Sequence, residues 1–216
     1  LAKLARANGC LTIMDCVTSL AGVPVMIDDW GIDAAYSGSQ KCLSCPPGLS
    51  PVTFSERAIE HIRKRNTPIQ SWFLDLSLVM DYWSGDGARS YHHTAPINAM
   101  YALHESLLLL REEGLETAWA RHQTHHEGLK AGLEKLGLSL LVEPAHRLPQ
   151  MNSVLIPDAL KPLEAEIRKT LLAEHNLEIG AGLGALAGQI WRIGLMGFGA
   201  SEENVRTCLN ALEEVL

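Results

Sequence analysis

Basic residues are in short supply in this sequence. Its 18 lysines and arginines are outnumbered by 25 aspartates and glutamates, and they form no cluster of the kind that holds nucleic acid or an anionic membrane surface. Long apolar runs are also missing: none is long enough to cross a bilayer, and the opening Leu1-Ala2-Lys3-Leu4-Ala5-Arg6 lacks the sustained apolar stretch of a secretory leader. The closing Glu213-Glu214-Val215-Leu216 is not the peroxisomal tripeptide address, so the expected compartment is the cytoplasm. Cysteine does not reach the number or pairing of a disulfide scaffold. Cys10, Cys16, Cys42, Cys45 and Cys208 make five, an odd count, in a 216-residue chain whose 47% hydrophobic content can build its own core. Reduced thiols are therefore expected. Cys42 and Cys45 form a C-x-x-C with no second pair at zinc spacing, and read as small buried fillers. His122, His125 and His126 share a helix face without a supporting carboxylate or cysteine pattern; they read as a solvated face, and no metal site is expected.

What is present centres on one lysine. Ile32 to Tyr36 has the texture of a short buried strand, after which Ser37-Gly38-Ser39-Gln40-Lys41 and a Pro46-Pro47-Gly48 turn carry the chain away in small polar residues. Upstream, Leu11-Thr12-Ile13-Met14 is a second apolar run that ends in Asp15. In an open α/β sheet, ligands bind beyond the carboxyl ends of the strands, so Asp15 and Lys41 can face one crevice from neighbouring strands. A lysine amine and a carboxylate in that relation suit pyridoxal phosphate, which needs an amine to hold it covalently and an acid to keep its ring nitrogen protonated. The plain alternatives are a solvated surface lysine and an aspartate that caps the next turn.

Along the rest of the chain, helices and strands alternate. Leu1 to Gly9 reads as an amphipathic helix, Pro51 to Phe54 as a strand, and Ser55 as the cap of a helix running to about Arg65. Asn66 to Arg89 reads as turn-rich around Trp72, Phe73, Leu74, Trp83 and Gly85, with apolar residues available for a second subunit. A strong helical pattern covers Ile97 to Glu113 and stops at Gly114. The loop before it, Tyr91-His92-His93-Thr94-Ala95-Pro96, is a suitable phosphate site because backbone N–H groups and the helix dipole favour an anion; a plain N-cap is the alternative for Thr94. After a long helix from Leu115 to about Leu136 come strands at Leu138 to Val142 and Ser153 to Pro157, a helix from Lys161 to Glu174, and a closing helix from Ser201. The run Gly180-Ala181-Gly182-Leu183-Gly184 lacks the spacing of a nucleotide fingerprint and reads as a flexible turn before the strand Gln189 to Gly194. Arg192 sits among apolar residues in that strand. It must meet an anion, either a carboxylate ligand or an internal ion-pair partner.

From Asp15-Cys16-Val17-Thr18-Ser19 through Gly31-Ile32-Asp33 and Ser37-Gly38-Ser39-Gln40-Lys41 to Pro46-Pro47-Gly48, the chain resembles the class V aminotransferases, in the alanine–glyoxylate and serine–glyoxylate (serine–pyruvate) branch. Tyr91 to Pro96 and Trp191-Arg192-Ile193-Gly194-Leu195-Met196-Gly197 continue the resemblance in the same order, over essentially the whole chain. It implies the α/β fold type I of pyridoxal phosphate-dependent transferases. Residues 1–114 would be the C-terminal part of a large, mainly parallel-sheet domain, and residues 115–216 a small α+β domain. The implied activity is transfer of an amino group from alanine or serine to glyoxylate or a related 2-oxo acid, in a homodimer with shared active sites.

The resemblance also assigns roles. Lys41 would hold pyridoxal phosphate, Asp15 its ring nitrogen and Val17 a ring face; Ser39 and Gln40 would lie around its phosphate, Tyr91 and Thr94 would reach the phosphate of the neighbouring subunit, and Arg192 would bind the substrate carboxylate. Proteins of this kind carry a further N-terminal region with sheet strands, a glycine-containing phosphate turn and a stacking aromatic ring. Those features are not in the sequence, which opens on Leu1 in mid-helix, so the implied site is expected to need additional chain. A ureidoglycine donor, another class V chemistry such as cysteine desulfuration, and a catalytically idle fragment remain as alternatives. Against the desulfurase, Gln40 stands where a histidine typically precedes the lysine.

Overall fold

A computed structural model describes residues 1–84 and 90–216. The first helix, α1 (Ala2–Ala7), leads to β1 (Ile13–Asp15), and a long turn-filled connection then returns the chain to β2 (Ala34–Tyr36), which pairs parallel with β1. β3 (Val52–Phe54) adds antiparallel to β2, giving the order β1-β2-β3. All three strands are shorter than the apolar runs that announced them, because ladder pairing extends over only three residues in each.

One buried carboxylate ties the amino end of this sheet together. Asp33, at 1% exposure, accepts hydrogen bonds from the Thr12 N–H at 2.9 Å, the Thr12 hydroxyl at 3.1 Å and the Ser55 hydroxyl at 3.3 Å. It also accepts from Arg57 Nη1 at 2.9 Å. Ser55 in turn caps α2 (Glu56–Arg63) by accepting from the Ala58 N–H, as its sequence position indicated.

The stretch expected to be turn-rich contains a helix, α3 (Leu76–Ser84). Asp75 Oδ1 accepts the Ser77 N–H at 2.9 Å, a start signal that the surrounding aromatics obscured. Residues 85–89, including the expected turn at Gly85, lie outside the described residues. α4 (Ile97–Glu113) and α5 (Leu115–Lys135) meet at Gly114, whose φ of 85° lets the chain change direction between two helices with no other linker.

The second sheet is antiparallel. β4 (Ser139–Leu140), β5 (Met151–Leu155), β6 (Gly180–Ala181) and β7 (Ile190–Gly194) take the order β4-β5-β7-β6. β5 begins two residues before the expected Ser153, and part of the glycine run read as a flexible turn is the paired strand β6. Helices α5, α6 (Glu164–His175) and α7 (Glu202–Val215) pack on this sheet around Leu129, Leu133, Val154, Leu171, Trp191 and Leu212. Each such side chain contributes about 1.5–3 kcal/mol by leaving water. The three-stranded sheet has far less of its own, a small buried cluster of Ala21, Cys42 and Leu43.

His122 and His126 do not form a solvated face. They are 1% and 3% exposed, and they continue the buried stripe Ala118, Leu129 and Leu133 on α5. His126 Nδ1 pairs with Asn152 Oδ1 of β5 at 2.7 Å. His125 is half-buried.

Candidate active site

Because β1 and β2 run parallel, their carboxyl ends lie side by side, with Asp15 opposite Tyr36. The loop bearing Lys41 leaves from that same end of β2. Asp15 is exposed and doubly held: Oδ1 accepts the Val17 N–H at 2.9 Å, and Oδ2 accepts the Tyr36 hydroxyl at 2.9 Å. The hydrogen bond to Asp15 raises the Tyr36 pKa, since ionising the phenol would lose that bond and set two anions together. Asp15 thus stabilises the turn at Val17 while keeping carboxylate lone pairs toward solvent. Val17 is half-buried beside it.

The lysine loop is closed by its own backbone. Ser44 N–H donates to the Lys41 carbonyl at 2.9 Å and Cys45 N–H to the Ser39 carbonyl at 3.1 Å. Ser39 is fully buried and its hydroxyl donates to the Pro46 carbonyl at 2.7 Å, so this side chain braces the loop. Gln40 is exposed and folds back over Gly38. Cys42 and Cys45 are buried, as read from the sequence, and burial pushes the Cys42 thiol up to about 11. Lys41 is half-buried, and among the described residues its ammonium has no side-chain hydrogen-bond or ion-pair partner.

Arg192 lies in β7, its Nε donating to the Ala181 carbonyl at 2.7 Å. No internal salt bridge to it exists among the described residues, which leaves the outer guanidinium nitrogens available to a carboxylate. Gly180 lies beside that group: a Cβ there would sit 3.4 Å from Arg192 Nε and Nη2, in van der Waals contact. Tyr91 and Thr94 are brought together, hydroxyl to hydroxyl, on an exposed loop. The N-cap alternative for Thr94 fails because Pro96 occupies the cap of α4 and no side chain bonds there. Behind Tyr91, His92 is buried, with Nε2 against the Trp72 carbonyl at 2.8 Å.

Residues 1–206 match the family Aminotransferase class-V. The chain belongs to that family. It is 43% identical to the alanine–glyoxylate aminotransferase of Oryctolagus cuniculus, covering 99% of this chain and 55% of the relative. It is 40% identical to the (S)-ureidoglycine–glyoxylate transaminase of Bacillus subtilis (strain 168), covering 98% of this chain and 54% of the relative. Among solved structures, the alanine–glyoxylate aminotransferase of Nostoc sp. superposes with a TM-score of 0.94 at 50% identity, over 99% of this chain and 56% of the other. This class V chain therefore spans about half the length of the relatives it matches. Its fold is that of the fold type I aminotransferases.

Three side chains around this candidate site of the class V chain were missed in the sequence. Tyr36 reaches Asp15 only because parallel pairing sets the two in register, a relation that no local pattern encodes. Gln150, fully buried, donates from Nε2 to the Thr18 carbonyl at 2.9 Å across 132 residues. Ser44 Oγ accepts the Phe198 N–H at 2.7 Å. Ser44 does carry a local clue, standing in a Cys-Leu-Ser-Cys-Pro-Pro loop where a small hydroxyl can accept a hydrogen bond, but its partner is not local.

Proposed function

We propose that this chain carries the lysine and aspartate portion of a pyridoxal phosphate-dependent transaminase that passes an amino group from alanine or serine to glyoxylate or a related 2-oxo acid. The observation that carries this reading is the parallel β1–β2 pair, which sets Asp15 at the strand end from which the Lys41 loop departs. The available groups fit the cofactor chemically: an amine with no side-chain partner among the described residues, a carboxylate fixed by two donors, and a hydroxyl pair suited to phosphate oxygens. Bound there, pyridoxal phosphate would supply an electron sink and a carrier for the amino group.

Lys41 would hold the cofactor and, with its amine free, would move the proton between the substrate α-carbon and the cofactor C4′ position. Asp15, oriented by the Val17 N–H and Tyr36 hydroxyl, keeps the ring nitrogen protonated. Val17 packs on a ring face, Ser39 and Gln40 shape the surroundings of the phosphate, and Tyr91 with Thr94 reaches the phosphate of a second subunit. Arg192 takes the substrate carboxylate in its planar fork and so orients the bond to be broken. In this reading residues 1–114 belong to the cofactor-binding domain and 115–216 to a smaller domain, within a cytoplasmic homodimer. The open apolar groove of about 760 Å³ along Leu43, Pro51, Trp83, Met100 and Leu107 is consistent with further protein covering that side. The 40% identity to a ureidoglycine–glyoxylate transaminase supports ureidoglycine as a second donor candidate for the same site.

The test is a titration of the purified chain, and of a longer form that includes the remaining length of its relatives, with pyridoxal phosphate. A visible absorbance band that borohydride removes and Lys41→Ala abolishes is expected in at least the longer form. Absence of that band from both forms refutes the reading. Amino donors are then ranked by turnover with glyoxylate.

A further inference from the structure

We propose that Ser44 and the turn at Gly197–Gly199 form a clasp that positions the Lys41 loop, with His122 and Arg121 holding the turn from behind. The loop alone is an uneasy structure. Ser44 closes it by donating to the Lys41 carbonyl, yet does so at φ 57°, a left-handed conformation that a non-glycine residue adopts only when its surroundings compensate. The compensation comes from the turn that follows β7: the Phe198 N–H reaches Ser44 Oγ at 2.7 Å. Approach is so close that a Cβ on Gly197 would collide with Ser44 Oγ and the Cys42 carbonyl, and φ at Gly197 is 55°. Only glycine serves there.

The turn is anchored on both sides of the same residue. Gly197 N–H donates to His122 Nε2 at 2.9 Å, while the Gly197 carbonyl accepts from Arg121 Nη1 at 2.6 Å. Arg121 also donates to the Ala200 carbonyl at 3.1 Å, and its Nε and Nη2 are clamped by the two carboxylate oxygens of Glu113. His122 donates its own Nδ1 proton to the Ala118 carbonyl, so its Nε2 is an acceptor only in the neutral ring. Burial depresses its pKa and keeps that form. A continuous set of hydrogen bonds thus runs from the α4–α5 junction through the turn to Lys41. β7 leads into the same turn, so the strand bearing Arg192 and the loop bearing Lys41 share one anchor. Gln150 adds a second tie, to Thr18 near Asp15. Ser44, His122 and Arg121 are positioning residues, and their relevance to an amine held at a set distance from a carboxylate site rests on the function proposed above.

The clasp can be tested without cofactor. Ser44→Gly keeps the left-handed backbone accessible and removes only the acceptor. Ser55→Ala removes the cap of α2, where Ser55 accepts the Ala58 N–H at 3.2 Å, and serves as a destabilised control at the end of the three-stranded sheet opposite the Lys41 loop. Native-state thiol labelling, read by mass spectrometry at Cys42, Cys45 and Cys208, is expected to quicken about fivefold at the first two in Ser44→Gly, the factor that one ordinary hydrogen bond commands. Cys208, buried in the other core, should not change, nor should Cys42 and Cys45 in Ser55→Ala. Equal rates at Cys42 and Cys45 in Ser44→Gly and the unaltered chain overturn the proposal, as does a uniform rise at all three thiols. In the unaltered chain, the Phe198 amide should exchange its hydrogen slowly although the residue is 88% exposed; exchange at the free rate also overturns the clasp. Borohydride trapping with pyridoxal phosphate completes the test. A lower yield in Ser44→Gly supports the link to Lys41 and an equal yield overturns it, whereas protected Phe198 in a protein that traps no cofactor in either the given or the longer form upholds the clasp and refutes the transaminase reading.

Discussion

Replacing Asp33 by asparagine tests how the three-stranded sheet is held. The Asp33 side chain is 2% exposed, and it pairs with Arg57, itself 33% exposed, while accepting hydrogen bonds from Thr12 and Ser55. An amide cannot receive all these donors, because one end of it becomes a donor facing donors. Breaking one partner of a buried ion pair costs about 3–5 kcal/mol, and the partial exposure of Arg57 places this case near the lower end, about 3 kcal/mol. With a urea slope of about 2–3 kcal/mol/M, the unfolding midpoint should fall by about 1–1.5 M at neutral pH. The pH dependence sharpens the test. Burial alone would raise the Asp33 pKa, but the Thr12 and Ser55 hydrogen bonds and the Arg57 charge outweigh it and hold the carboxyl below its usual 3.8. A depressed folded-state value stabilises the fold fully above the unfolded value and loses that contribution as pH falls through the folded one. The gap between the two proteins should therefore be constant from neutrality to about pH 5 and narrow below it. Urea titrations monitored by circular dichroism at several pH values measure it. Equal midpoints at pH 7, or a gap that widens in acid, would refute the account.

Trp191→Ala, at a fully buried core position, should cost about 3–5 kcal/mol in the same urea assay. Gly132→Ala should destabilise although alanine is the better helix former, since its methyl would overlap the Leu209 side chain; the added change Leu209→Ala should recover part of the loss, seen as non-additive melting shifts. His122, buried with a lowered pKa, should make stability decline as pH drops below about 6.5, where the unfolded chain binds a proton that the folded chain refuses; His122→Gln should flatten that limb of the pH–stability curve. In a complete, active form of the enzyme, Arg192→Lys should raise the KM for donor and acceptor at least about tenfold, because a point charge replaces a fork; unchanged KM values would remove Arg192 from the site.

Local chemistry made some parts of this molecule legible. The helix Ile97–Glu113 and its stop at Gly114 follow from apolar spacing and one glycine, and Ser55 announces α2 by its own hydroxyl. The long α5 was visible, but the role of its histidines was not. Imidazoles look polar in isolation, yet at 122 and 126 they fall on the stripe of Ala118, Leu129 and Leu133, and burial is tolerable once Gly197 and Asn152 satisfy them. α3 was hidden by exposed Trp72, Phe73 and Leu74, which resemble a loop meant for a partner. The order of Asp15, Lys41 and Arg192 along the chain was readable. The bonds that orient them were not, because Tyr36, Gln150 and Phe198 act across parallel register or across the gap between two sheets.

The bond from Phe198 to Ser44 spans 154 residues, and this sets a schedule for biosynthesis. A ribosome adding about 5–20 residues per second needs about 8–30 s to cover that interval. Throughout it the lysine loop has been made but its fastener has not. Ser44 is free to leave its left-handed conformation, and Cys42 and Cys45 are open to chaperones, oxidants and aldehydes alike. Closing so long a loop carries a high entropic cost, so the amine-bearing loop should be among the final parts of the chain to settle, after the α5–α7 core has formed and can present the turn to it.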